Sequence, residues 1–243
     1  MAPEPFPDDW QRALVVAAHP DDIEYGVAAA VAVWTGDGKD VRHLLATRGE
    51  AGIAGLAPAD CGPVREEEER RSAAVVGVSE VDVLDHRDGV LQAGPDLRRD
   101  LAAAVRRHRP ELVVTMYGGP TWTPPDASVG VVSSADHRAL GEAALDAVSD
   151  AADEWIFPDL AGEPWSGVRH VAVQQPGPTA THAVDVTDAV ERAVASLAEH
   201  ARYLAALSDE PVADQARAVV DMATEQPDAS RRVGFRLYAG TAS

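Results

Sequence analysis

Short apolar runs alternate along this chain with longer amphipathic ones, and nothing else in the sequence restricts the fold as strongly. The runs "ALVVAA" (13–18), "VRHLLAT" (41–47), "VDVLD" (81–85), "ELVVTM" (111–116) and "RHVAVQQ" (169–175) have the length and composition of buried strands. Between and after them lie stretches with helical periodicity: 24–36, 63–76, 96–108, 137–150, about 186–207 and about 209–224. Gly36, Gly38, Gly77 and Pro110 punctuate the helix ends, and Thr187 or Asp188 is the expected cap of the helix from about 186. In the stretch 137–150, Leu140, Ala144, Leu145 and Val148 are expected on one face. Strand and helix in such succession predict a single α/β domain with a mostly parallel sheet covered by helices. Ligands of such a sheet bind beyond the carboxyl ends of its strands. Four polar segments fall there: "AHPDDIEYG", "TRGEAG", "HRDGVL" and the long Gly/Pro/Ser-rich connection 117–135. They are expected to converge on one rim, and a connection as long as 117–135 is usually functional or disordered.

The composition narrows the partners. With 243 residues and 46% hydrophobic content, the chain can bury one good core. Forty acidic against 21 basic residues give a formal charge of −19, which repels nucleic acid and anionic membrane surfaces. No apolar stretch is long enough to span a bilayer, and "MAPEPFPDDW" lacks the basic and apolar regions of a secretory signal. A lone cysteine, Cys61, excludes an internal disulfide framework and fits a reducing compartment. The expectation is a soluble cytoplasmic protein, with a homo-oligomer compatible with the sequence.

The chemistry concentrates at the exit of the first strand. His19, Asp21, Asp22 and Glu24 follow directly on an apolar run. A neutral imidazole and a carboxylate suit zinc or a similar divalent ion, and a catalytic zinc takes a third protein ligand and keeps one open position. His137, at the start of the helix after the fourth strand, is placed on the same rim to be that ligand. The aspartate left over can take a proton from the attacking water. Spacing alone leaves open which aspartate is ligand and which is base.

Plainer readings compete. Asp21 or Asp22 could be the N-cap of the following helix, and "DH" at 136–137 could be a cap beside an exposed histidine. "REEEERR" (65–71) reads as a solvated helix face with i,i+4 ion pairs, and Trp122, Trp155 and Trp165 as packing residues. His43, His86, His108, His170, His182 and His200 carry no pattern. A nucleotide-binding reading fails because no Gly-x-Gly-x-x-Gly follows the first strand.

In that order and spacing, "AHPDDIE", "TRGEAG", "REEEERRSAAVVGV", "HRDGVL" and "DHRALGEAAL" resemble the LmbE-like (PIG-L) zinc-dependent N-deacetylases, over roughly residues 12–200. His-Pro-Asp-Asp after a strand with a downstream Asp-His is the specific signature, and the other motifs support it. The resemblance implies a Rossmann-like α/β/α layered fold and removal of an acyl group, expected to be acetyl, from an amino sugar or sugar conjugate. It implies zinc, or another divalent ion, on His19, Asp22 and His137, with Asp21 as general base and Asp136 steadying a ligand histidine. Arg65 and Asp88 match positions that contact the sugar, and Glu68 matches the acidic partner of that arginine. The single LmbE-like domain would span 1–243, with a helical extension from about 186. One departure stands out. The family usually has His-Pro-Asp-His at the second motif, where its first histidine stabilises the oxyanion or protonates the leaving amine. This chain reads "SADH", so Ser134 occupies that position. Ser134 also admits an alternative: a metal- or sugar-binding member that kept the site and lost catalysis. Another loop could instead supply the donor, with Tyr117 or His182 as candidates.

Overall fold

A computed structural model describes residues 3–122, 129–175 and 179–241, without the Trp122 side chain. Its elements, in chain order, are β1 (Glu4–Pro5), β2 (Arg12–Ala17), α1 (Asp22–Gly26), α2 (Ala28–Gly36), β3 (Asp40–Leu45), α3 (Pro58–Val75), β4 (Val81–Val83) and α4 (Pro95–His108). They continue with β5 (Leu112–Thr115), β6 (Thr121–Trp122), β7 (Val131–Val132), α5 (Ala135–Ala152), β8 (His170–Gln174), β9 (His182–Asp185), α6 (Val190–Ala198), α7 (Ala201–Leu207), α8 (Val212–Thr224) and β10 (Arg232–Ala239).

The five strands expected from sequence are β2, β3, β4, β5 and β8, and they form the parallel heart of one sheet in the order β4–β3–β2–β5–β8. Counted along the chain, that order is third, second, first, fourth, fifth. It reverses between β2 and β5, whose register pairs Ala13 with Leu112 and Val16 with Thr115. Such a reversal opens a crevice at the carboxyl ends of the two strands. Strand β2 shows why its sequence is a continuous apolar run: both its faces are buried. Ala13, Val15 and Ala17 face a core shared with α1, α2, α6 and α8, while Leu14 and Val16 face a core built on α4 and α5. The result is three layers, helix on sheet on helix.

Several boundaries differ from expectation, each for a local reason. The helix expected over 24–36 breaks at Val27 (φ −130°), giving α1 and α2. The one expected over 186–207 breaks at Glu199–His200 into α6 and α7. Neither Thr187 nor Asp188 caps it. Asp185 accepts from the amide and hydroxyl of Thr187 at 3.0 and 2.7 Å, a local turn that delays the helix to Val190. On α5, Leu140, Ala144 and Val148 are buried as expected, but Leu145 lies round the helix on the exposed side. Trp165 packs and donates to the Pro110 carbonyl at 2.7 Å, whereas Trp155 is exposed. Within the connection 117–135, β6 and β7 form a small hairpin, and residues 123–128 lie outside the described residues.

The last part of the chain also adds a strand that was not expected. β10 runs antiparallel between β8 and β9, and β1 pairs parallel with β9 at the edge. Its sequence alternates, with Val233, Phe235 and Leu237 turned into the core of α1, α2, α6 and α8. Among the described residues, no helix is long and apolar enough to cross a membrane.

Candidate active site

The crevice at the strand reversal holds a cleft of about 370 Å³, within the usual range for small-molecule sites. His19 and Asp22 reach it from the exit of β2, Ala51 and Gly52 from the loop after β3, Asp88 from the loop after β4, and Ser134 and His137 from the start of α5. The expected convergence of four loops on one rim is what the fold produces.

The His-Pro-Asp-Asp turn is shaped by two kinds of constraint. Asp21 has φ 94°, a conformation that side chains other than glycine seldom adopt. It sits at the N-cap position of α1 but makes no capping bond; its carboxylate instead accepts from Arg65 Nη2 at 2.8 Å. Asp22 Oδ2 accepts from the His19 amide at 2.7 Å and lies 3.2 Å from His19 Nδ1. Asp22 Oδ1 lies 3.0 Å from His137 Nε2. One donor atom each from His19, Asp22 and His137 therefore falls within 4.8 Å of the others.

Asp136 and Asp88 close the far side of the His19 ring, each 3.1 Å from Nε2. Asp136 is itself fixed by the amides of Gly89 and Leu91 at 2.7 and 3.0 Å, and Asp88 by the Ala51 amide at 2.8 Å. With Nε2–H held this way, Nδ1 is the nitrogen left for a ligand. The cap of α5 is neither Asp136 nor His137 but Ser134, whose Oγ accepts from the Asp136 amide at 3.2 Å. His182 lies on β9, 3.7 Å from Glu4 and outside the cleft, and Tyr117 does not line the cleft either.

The electrostatics of the site are set by the carboxylates around its histidines. Burial works against charging His19, yet its contacts with Asp136, Asp22 and Asp88 outweigh that and push its imidazole up to about 12. Burial would raise Asp22, but His137 and His19 hold it well below the usual carboxylate range. Three carboxylates, Asp22, Asp88 and Asp136, crowd the two imidazoles and favour the charged form of His19. A divalent ion fits this set better: two imidazoles and a carboxylate are a common zinc triad, and Asp136 supplies the outer support that such histidines take. Burial pushes Asp21 up to about 7, with Arg65 opposing and Asp22 adding to the rise. That range suits a base at neutral pH.

A PIG-L family model, described as GlcNAc-PI de-N-acetylase, matches residues 14–148, which hold His19, Asp21, Asp22, Asp88, Asp136 and His137. The chain belongs to the PIG-L family. It is 29% identical over 204 residues to a diacetylchitobiose deacetylase of Thermococcus kodakarensis, covering 81% of this chain and 71% of that protein. It is 27% identical over 198 residues to a 1D-myo-inositol 2-acetamido-2-deoxy-alpha-D-glucopyranoside deacetylase of Thermobifida fusca, covering 68% of this chain and 63% of the relative. Among solved structures, it superposes with a TM-score of 0.80 and 23% identity on the N,N'-diacetylchitobiose deacetylase of Pyrococcus horikoshii, over 95% of this chain and 85% of that one. A conserved protein of Thermus thermophilus matches with a TM-score of 0.68 and 25% identity, over 92% of each chain.

Behind the cleft, this PIG-L chain carries a layer that the sequence reading missed. "REEEERR" is only half a solvated face. Glu66 pairs with Arg70 at 2.6 Å and Glu67 with Arg71 at 3.4 Å on the outside, as expected. Arg65, Glu68, Glu69 and Ser72, at i, i+3, i+4 and i+7, are instead buried in one stripe. The Arg65 guanidinium bonds the Pro20 carbonyl as well as Asp21, and stacks 3.9 Å from the Tyr203 ring centroid. Glu68 does not pair with Arg65; it accepts from the Arg202 amide at 2.6 Å and so anchors the start of α7. Glu24 is not in the cleft but accepts from Ser72 Oγ at 2.6 Å, with His200 Nε2 3.4 Å away. His43 Nδ1 lies 3.0 Å from Glu69 Oε1. Charged residues spaced like a core stripe were the available signal, and reading them as solvated hid it.

Proposed function

We propose that this PIG-L chain is a metal-dependent N-deacetylase, with zinc its ion, that releases acetate from an N-acetylated amino sugar or sugar conjugate. The observation that carries the reading is the clustering of His19, Asp22 and His137 donor atoms within 4.8 Å, beside the buried Asp21 carboxylate, in one cleft. Bound by those three residues, zinc would polarise the amide carbonyl and acidify an attacking water. Asp21, with one oxygen held by Arg65, takes the proton from that water and returns it to the departing amine nitrogen. Asp136 keeps the His19 ring turned so that Nδ1 faces the ligand position. Asp88 and Arg65 border the cleft, where sugar hydroxyls can reach them. Ser134 spends a lone pair on the Asp136 amide and keeps its own O–H to donate towards the carbonyl oxygen, a weaker service than an imidazole gives.

The test is acetate release from N,N'-diacetylchitobiose and N-acetylglucosamine by protein stripped with chelator and reloaded with zinc. Turnover should vanish on stripping and return with about one equivalent of zinc. Ser134 favours one other reading, a metal- or sugar-binding protein. Folded protein that holds zinc, binds these sugars and releases no acetate would establish that reading and end ours.

A further inference from the structure

Asp21 needs more than a carboxylate to serve as base: its turn must stay in the left-handed conformation that aims it. Three hydrogen bonds from outside α1 hold that turn, and two come from Arg65 Nη2, to the Pro20 carbonyl and the Asp21 carboxylate. The third comes from Glu69, one turn further along α3. The Asp21 amide donates to Glu69 Oε2 at 3.4 Å, and Glu69 is completely buried. A buried glutamate is costly unless it is satisfied, and this one is met by two buried histidines. His43 Nδ1 lies 3.0 Å from Glu69 Oε1, and His200 Nε2 lies 3.8 Å from Oε2 and 3.4 Å from Glu24. His43 comes from β3 and His200 from the break between α6 and α7, so three separated elements meet under one peptide group.

We infer that Glu69, braced by His43 and His200, is a positioning residue for Asp21: it holds the Asp21 amide while Arg65 holds the carboxylate. The inference rests on the deacetylase reading for its kinetic consequence, but not for its geometry. Glu69 touches neither the cleft nor the three proposed zinc ligands. Its loss should therefore alter the rate of the proton transfer step and leave substrate binding and metal content alone.

Three substitutions separate reach from charge. Glu69→Ala removes the acceptor. Glu69→Asp keeps the buried charge opposite both histidines but draws the carboxylate back from the Asp21 amide, and it remains informative if Glu69→Ala fails to fold. Glu69→Gln keeps one acceptor oxygen at full reach for the Asp21 amide, with its NH2 donating to an unprotonated His43 Nδ1. In zinc-loaded full-length protein, Ala and Asp should lower kcat by roughly ten- to a hundredfold, since a displacement of about 1 Å can cost a hundredfold. KM should change less than about twofold, a size with no structural penalty behind it. Zinc should stay at one equivalent, and Gln should recover most of the parent rate. Amide exchange of Asp21, read by NMR, should speed up in Ala and Asp but not in Gln. An active parent with Glu69→Asp of equal kcat would overturn the inference, as would a rise in KM with kcat untouched. A second zinc lost specifically on His200→Gln would also overturn it, by making the buried cluster a metal site. A parent without turnover would instead count against the deacetylase reading, and unchanged Asp21 exchange in Glu69→Asp would then still sink the positioning role.

Discussion

Gly141 lies in the middle of α5, a position where glycine normally weakens a helix, and its neighbours explain it. A Cβ built there would sit 2.8 Å from Gly118 Cα and 3.2 Å from Gly118 N, in the loop that leaves β5. Carbon atoms rest at about 3.5–4.0 Å, so Gly141→Ala must open this contact by roughly 0.7 Å or more. Both sides are backbone, and no side chain can swing away. The helix and the loop must part. His137 is four residues earlier, on the same face and one turn, about 6 Å, along the axis. Its Nε2 stands 3.0 Å from Asp22 Oδ1, in a site whose ligand distances tolerate only about 0.2 Å of error. Overpacking of this kind costs about 1–3 kcal/mol, and alanine returns about 1 kcal/mol through helix propensity. The net expectation is a loss of about 0–2 kcal/mol in metal-free stability, with zinc affinity down tenfold or more. Chelator competition measures the affinity, and urea unfolding of the stripped protein measures the stability. Glu142→Ala, exposed on the next residue, is the control. A Gly141→Ala protein about 1 kcal/mol more stable than the parent, with equal zinc affinity, would show that the two backbones do not meet as described.

Asp136→Ala takes away the acceptor for His19 and for the Gly89 and Leu91 amides, so zinc affinity should drop about 10–100-fold, measured in the same competition assay. Asp21→Asn should keep one equivalent of zinc by elemental analysis and lose about 10²–10⁴-fold in kcat. Ser134→Ala should cost about 1 kcal/mol in urea unfolding through the lost cap, a loss that would be absent if Ser134 were purely catalytic. His200 gives the pH prediction. Burial opposes its charge, but Glu24, Glu69 and Asp21 prevail and push it up to about 9. A raised folded value means that its stabilising contribution is complete below about 6.5 and fades as pH climbs through about 9. Unfolding free energy of the parent should decline across that window, and His200→Gln should flatten the decline; parallel curves would remove the charge from His200.

The parallel heart of the fold was legible because both faces of β2 are buried, which leaves an uninterrupted apolar run that no half-exposed strand shows. β10 was hidden by a polar approach, "DASRR", and by alternation that a search for continuous runs passes over. The cleft residues His19, Asp22 and His137 could be found since ligand chemistry limits which side chains cluster at strand ends, whereas Asp88 came only from the family resemblance. Glu69, His43 and His200 could not, because a buried polar brace assembles from three distant segments and each contributes one ordinary-looking residue. Tyr25 and Tyr203 at the cleft wall share that difficulty. Ser134, conspicuous only as a departure, turned out to have a local duty as a helix cap.

The place of β10 has a consequence for the order in which the protein can assemble. β8 and β9 are close in sequence, yet the slot between them belongs to a strand that leaves the ribosome roughly fifty residues after β9. Until it arrives, β8 presents an open edge, and β9 with its attached β1 has nothing to join. The five strands of the parallel heart, with His19, Asp22 and His137, are all synthesised beforehand. The outer third of the sheet is then a late annexation, and the waiting edge of β8 is where an unfinished chain is most exposed to pairing with a neighbour.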